Sequence, residues 1–286
     1  MSAFSYLITT PMGYIISFIY SLVKNYGITI ILFTIAIKII MLPLAVKQQK
    51  SMVAIQKLNP ELEALRKKYA NDQQRLSQET MKVYQKHGVS PTGGCLPLLI
   101  QFPIIIGLYQ VVTRPLQYIM HMGTDVIQKV ADILLEAGKI EANVATTALK
   151  QSQITVARAM ADNAALIEEK IGSAVSAINF DFFGLDLALT PNFGQMSLLW
   201  LIPILSALTA YLTSAITTKL SGNKQQAEQM KSMNIMMPLM SGYFCFIMPA
   251  GVGLYWIMSN VIQLIQQVVL TKLLMKKEAK GEVTDA

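Results

Sequence analysis

Charge is what this sequence has least of. Asp, Glu, Lys and Arg make up only 14% of its 286 residues against 53% hydrophobic ones, and the mean hydropathy is +0.43. Both values lie outside the range of a soluble domain with a wetted surface, so a membrane class is expected. Cysteine and histidine are also scarce. Cys95 and Cys245 sit in apolar segments with no CxxC spacing, which gives neither a disulfide nor a metal site. His87 and His121 are isolated, without metal-ligand or triad company, and read as solvated or capping residues. No phosphate-binding loop is visible, and nothing marks a catalytic group, a cofactor or nucleic-acid sequence recognition. No Lys or Arg precedes Lys24, so residues 1–26 lack the basic start of a secretory signal.

What is there is length of apolar chain. A helix needs about 20 mostly apolar residues to cross a bilayer, because each backbone polar group must be bonded within its own segment. Five such runs are read: 27–46, 89–112, 196–217, 233–250 and 251–270, the last two forming a hairpin that turns at Pro249-Ala250-Gly251. Residues 1–26 are read as an interfacial helix over Pro11 to Lys24, with Ile15, Ile16, Phe18, Ile19, Leu22 and Val23 on its apolar side and Ser17, Ser21 and Lys24 on its wet side.

Charge between the runs sets the orientation. Residues 47–88 carry nine basic and four acidic residues, and the loop 218–232 and tail 271–286 add seven more lysines. Residues 113–195 hold six basic and nine acidic ones. By the positive-inside rule the first three segments are cytoplasmic, the N-terminus is outside and the C-terminus inside. Residues 47–88 read as a basic helical hairpin joined near Ala70-Asn71-Asp72, with a stripe of Met52, Ile55, Leu58, Leu62, Leu65 and Tyr69, an N-cap at Asn59 and a stop at Gly88. Arg66, Lys67, Lys68 and Arg75 make it a candidate docking surface for a partner or anionic lipid. Residues 113–195 include a helical module, with Val126, Val130, Ile133 and Leu134 on one helix and Ala164, Ile167, Ile171 and Ile178 expected on another.

Lys38 is the single charge in the five runs, and the other four runs contain no Asp or Glu. A basic residue at mid-membrane costs about 2.5–3.5 kcal/mol on insertion scales, and such residues mark functional sites by default. In a continuous span to Val46, Lys38 lies about 12 Å from the cytoplasmic end, farther than its stem reaches comfortably. Thr34 one turn away, Gln101, Thr209 with Ser206 and Thr213, and Asn260 with Ser259 and Gln263 beside Trp256 are the polar groups available to line a wet cavity around it. The ligand of such a cation is anionic.

IKIIMLPLAVKQQKSM, LNPELEALRKKY, HGVSPTGGCLPLLIQFPIIIGLYQVV and PAGVGLYWIMSN occur in this order. Together they resemble the YidC/Oxa/Alb family of membrane protein insertases over roughly residues 11–117 and 180–275. The resemblance implies an all-α integral membrane protein of the bacterial plasma membrane. Its five transmembrane helices enclose a hydrophilic groove open to cytoplasm and lipid, with an interfacial helix and a cytoplasmic hairpin. The expected groove residues are Lys38, standing where the family usually has arginine, with Thr34, Gln101, Thr209, Trp256 and Asn260. Nascent membrane proteins are the implied substrates, handled independently or with the Sec translocon, and the ribosome is a further candidate partner. The competing reading is a small secondary transporter or channel using Lys38 as an anion or proton site, against which stand the acid-free spans and the lack of an inverted repeat.

Overall fold

A computed structural model describes residues 5–88, 96–150, 152–172, 177–221 and 231–279. The described residues are mainly helical, with one two-stranded hairpin and an isolated bridge between Asn192 and Gln195. Two helical segments, Leu198–Leu220 and Ala250–Leu274, are long and apolar enough to cross a membrane, and the broken pair Tyr26–Ile40 and Leu42–Lys57 passes the same test together. Leu7–Val23, Pro103–Thr113 and Asn234–Ile247 are shorter apolar helical stretches. The chain divides into two compact units, one drawn from Met1–Ala36, Pro103–Leu208 and Leu239–Ser259, the other from Ile37–Phe102, Thr209–Pro238 and Asn260–Ala286.

The first unit begins with a π-helical turn, Ser5–Thr9, and α1 (Thr10–Val23), which ends on Lys24 in a left-handed conformation. Its buried face is Met12, Gly13 and Ile16. A Cβ at Gly13 would stand 2.6 Å from the Tyr118 ring, so glycine is what lets α1 approach it. Ser17, expected on the wet side, instead donates to the Ile119 carbonyl at 3.0 Å, and Phe18 and Leu22 are exposed. The serine follows the contact with Tyr118 and Ile119, which hydropathy along α1 alone does not reveal. α2 (Tyr26–Ile40) contributes its part up to Ala36, and α6 (Leu96–Thr113) its part from Pro103, to this unit, where the Tyr26 hydroxyl donates to the Val112 carbonyl.

Between α6 and the next long helix lie α7 (Pro115–Tyr118), α8 (Thr124–Glu136), α9 (Ala142–Thr146), α10 (Gln153–Asp162) and α11 (Ala164–Ile171). The buried face of α8 is Ile127, Val130, Ala131 and Leu134. Val126 is exposed, because the apolar pair 126–127 allows two phases and the structure takes the second. In place of a second helix reaching Ile178, α11 stops at Ile171 on Gly172 at φ +78°, and Ile178 is buried outside any helix. The strands β1 (Asp181–Phe182) and β2 (Leu185–Asp186) then pair antiparallel. Arg158 bonds to Asp186 and lies 3.4 Å from Asp162, and the hydrogen bond to Asp186 raises the guanidinium pKa above its usual value.

α12 (Leu201–Ser221), α13 (Lys231–Ile247) and α14 (Ala250–Ala279) complete the long helices, with only Met248 and Pro249 between the last two. In the first unit they pack closely. A Cβ on Gly253 would meet Ile202 Cγ2 at 2.3 Å and Cys245 Sγ at 3.3 Å, and one on Gly251 would meet Tyr26 at 3.0 Å.

The second unit contains α3 (Leu42–Lys57), α4 (Asn59–Lys68) and α5 (Gln73–Lys86). Helix α2 ends at Ile40, so the apolar run 27–46 is not one continuous helix. Met41 is the N-cap of α3 and Pro43 stands in its first turn, where a missing N–H costs least. The restart expected at Asn59-Pro60 occurs one residue early. Leu58 occupies the N-cap and Asn59 is the first helical residue. Asp72 caps α5 by accepting from Arg75 N at 2.9 Å, and Gly88 follows the helix end at φ +62°. Leu58, Leu62 and Val83 form the core of this hairpin with Leu65 and Tyr84 against it.

Candidate functional site

Lys38 lies in the last turn of α2, two residues before its end. The unpaired carbonyls there carry the negative end of the helix dipole, which favours a cation. Its side chain is nevertheless inside the protein, with 8% of the residue exposed. Among the described residues its hydrogen-bond partner is Gln263 Oε1 at 3.4 Å, and no carboxylate pairs with it. An ammonium has three donors, so one neutral acceptor leaves most of its hydrogen-bonding capacity for other groups.

The same residue is held at its other end. Breaking the helix at Met41 removes the normal acceptor role of the last carbonyls of α2, and Pro43 has no N–H to offer Ile39. Gln266 Nε2 donates to the Lys38 carbonyl at 3.3 Å. Gln263 and Gln266, three residues apart on α14, thus touch the ammonium and the backbone of one lysine.

A ladder of neutral polar groups continues through the second unit. Asn260 Nδ2 donates to Thr209 Oγ1 and Thr213 Oγ1 to the Asn260 carbonyl, both at 3.3 Å. Thr217 Oγ1 donates to Gln267 at 2.7 Å, and Gln49 Nε2 to Thr271 Oγ1 at 2.8 Å. Ser214 donates to Asn234, whose amide donates to Thr218. Interhelical bonds of this kind are worth on average about 0.6 kcal/mol each inside a membrane, so the ladder aligns the helices without locking them.

Of the residues expected in the groove, the structure joins Thr209 to Asn260 and gives Lys38 to Gln263. Thr34 and Trp256 belong to the first unit. There the Thr34 hydroxyl donates to the Ile30 carbonyl at 2.6 Å, and Trp256 stacks with Phe244 at 6.1 Å. The Gln101 side chain lies outside the described residues. Gln49, Ser214, Asn234, Gln266, Gln267 and Thr271 were not singled out from the sequence. For Gln267 and Thr271 the signal is spacing, whereas Gln49, Ser214, Asn234 and Gln266 carry none. Asn260, Gln263, Gln267 and Thr271 recur at steps of three and four, as do Thr209, Thr213 and Thr217 at steps of four.

On the α4–α5 hairpin, Arg66, Lys67 and Lys68 occupy the last turn of α4, where a helix favours cations. Lys68 Nζ and Arg75 Cζ lie 5.3 and 5.6 Å from the Tyr69 ring centre. Lys67, Lys68 and Arg75 are exposed. Glu61 joins the two arms through His87 at 3.1 Å and Lys86 at 4.0 Å. The pKa of Glu79 is lowered, chiefly by the hydrogen bond from Lys82.

Long apolar helices linked by hydroxyls and amides, with Lys38 buried beside them, are those of a helical membrane protein. Residues 18–278 match the model of the 60Kd inner membrane protein family, and the chain belongs to that family, that of the YidC-type membrane protein insertases. The chain is 33% identical over 250 residues to the membrane protein insertase YidC of Fusobacterium nucleatum, covering 87% of this chain and 88% of the relative. It is 30% identical to YidC of Caldanaerobacter subterraneus over 95% of this chain and 96% of the relative. To the insertase MisCA of Bacillus subtilis it is 30% identical over 90% of this chain and 74% of the relative.

Proposed function

We propose that this protein inserts nascent membrane proteins, using Lys38 as a fixed cation whose counter-charge arrives on the substrate. The observation that carries this reading is a lysine 8% exposed, bonded to a neutral glutamine, in a family of insertases and beside runs without a single acid. In this reading the runs 27–46, 89–112, 196–217, 233–250 and 251–270 are the five spans. The N-terminus is outside and the C-terminus in the cytoplasm. Gln101, Thr209 and Asn260 share a groove with Lys38.

A short apolar segment enters from the cytoplasm while the acidic or polar residues of its outgoing tail meet Lys38 and the amides. This spares the tail part of its dehydration cost. An interior-negative potential drives each acidic charge outward by about 2.3 kcal/mol per 100 mV for full crossing. The segment leaves sideways into lipid, its Leu, Ile and Phe residues contributing a few tenths of a kcal/mol each, so no ATP and no catalytic group is required. The exposed cations Lys67, Lys68 and Arg75, with Arg66, form the cytoplasmic docking surface for the ribosome or the Sec translocon.

The test replaces Lys38 by Arg, Ala and Glu and follows insertion of a single-span substrate with an acidic tail into proteoliposomes. Arg retains insertion and Glu abolishes it. Equal insertion by all variants removes the charge from the mechanism. A small-anion flux lost in Lys38→Ala establishes the transporter reading instead.

A further inference from the structure

The tip of the β1–β2 hairpin is Phe183, held at φ +52° and 89% exposed. A bulky side chain at positive φ is sterically disfavoured, and glycine is the residue that takes such a position without strain. Its ring rests edge-on against Phe182 at 4.7 Å and stays almost wholly outside the protein. An exposed aromatic kept in an unfavourable conformation calls for something outside the chain.

The hairpin is pinned to helix ends at four points. The Asn179 carbonyl accepts from Tyr26 N at 2.9 Å, and the Asp181 carbonyl from Asn25 Nδ2 at 2.8 Å. On the other arm, the Leu187 carbonyl accepts from Gly251 N at 2.9 Å and the Leu189 carbonyl from Ala250 N at 2.8 Å. Phe182 lies directly on Gly27, where a Cβ would stand 2.3 Å from its ring. The hairpin therefore sits at the level where α2 and α14 begin.

Phe183 is one residue beyond that contact, and a strand residue advances only about 3.3 Å. The headgroup zone on each side of the hydrocarbon is about 5–7 Å deep. Phe183 cannot leave that zone if α2 and α14 span the bilayer. Apolar exposure continues on both sides of the elbow at Asn25. Leu7 in the π-helical turn, Tyr14, Phe18 and Leu22 along α1, and Ile28, Leu32 and Ile35 along α2 are exposed. Aromatic side chains are favoured at this depth.

We propose that Phe183 is an interfacial wedge that, with Phe18 and Leu22, seats this end of the first unit in the headgroup–acyl boundary of the extracytoplasmic leaflet. The occupant of the surface is phospholipid, because exposed apolar residues of α1 and of the apolar helix α2 flank the elbow on both sides, with Lys24 and Asn25 at the elbow itself as polar groups suited to the headgroup level. The proposal rests on the spanning reading given above, not on insertion activity.

The experiment uses the full chain with Cys95→Ser and Cys245→Ser. A polarity-sensitive fluorophore is placed at Phe183→Cys, Leu22→Cys or Glu136→Cys, and the protein is reconstituted into phosphatidylcholine–phosphatidylglycerol vesicles. Glu136 is exposed on α8 and reports water. The expected result at 183 is a blue-shifted emission, severalfold weaker iodide quenching than at 136, and quenching by lipid spin-labelled near the headgroup but not deep in the chain. A 183 signal matching 136 while 22 reports lipid overturns the wedge alone. Water at both 22 and 183 overturns the membrane placement with it. Protection from iodide without quenching by any spin-labelled lipid means that protein covers the site, and overturns the lipid assignment.

Discussion

The two units differ in emphasis: hydroxyl bonds such as Tyr26–Val112 and Ser206–Ser241 occur in the first as well, but close apolar contact is more prominent there. In the first, glycines bring backbones together and apolar side chains fill the contact: Gly253 against Ile202 and Cys245, Gly251 against Tyr26. In the second, the links are amides and hydroxyls, from Asn260–Thr209 to Gln49–Thr271, around one buried ammonium. Close apolar contact tolerates no added volume. A hydrogen-bonded ladder can open one rung at a time, and each rung is weak. In the proposed reading, the second unit is the one suited to receive a polar guest.

Added volume breaks the first unit. Gly253→Leu forces a side chain into space already held by Ile202 and costs about 3 kcal/mol or more, read as loss of folded protein or a steep drop in detergent-solubilised Tm. The same substitution at Lys38 is a test of the second unit, where Lys38→Leu is expected to keep the fold while lowering insertion of an acidic-tailed substrate at least tenfold, about 1.4 kcal/mol of coupling. Gln266→Ala removes one rung and the acceptor's partner at the helix break. It costs about 0.6 kcal/mol of stability and lowers insertion less than the Lys38 variants do. Arg158→Ala in the module between α6 and α12 loses a half-exposed pair with Asp186 and is expected to cost less than about 1 kcal/mol, diminishing in high salt.

The smallest effect is at Glu79. Its carboxyl pKa is depressed by Lys82, so any stabilisation is present above the usual carboxylate range and is lost as pH falls through it. The pair is solvent-exposed, and Glu79→Gln is expected to leave the thermal midpoint at neutral pH unchanged.

The helical class, the turn of the basic hairpin at residues 69–72 and the isolation of Lys38 are legible in the sequence because each leaves a local mark: an apolar run, a capping Asp72, a charge with no acid nearby. The break at Met41 has a mark too, Pro43, but the continuous apolar run 27–46 outweighs it, and Lys38 consequently reads as central when it stands in the last turn of α2. Phase errors come from adjacent apolar residues. Val126 and Ile127 fit the helical period equally well until a neighbour selects one. Ser17 is misplaced for a related reason, since its acceptor is Ile119, 102 residues away. Long-range partners of this kind also hide Gln266, whose role depends on a carbonyl on α2.

The link between α13 and α14, Met248 and Pro249 alone, bears on how the protein itself is made. With both helices spanning, nothing hydrophilic between them has to be carried to the far side. In that reading the two helices enter the membrane together as one apolar hairpin.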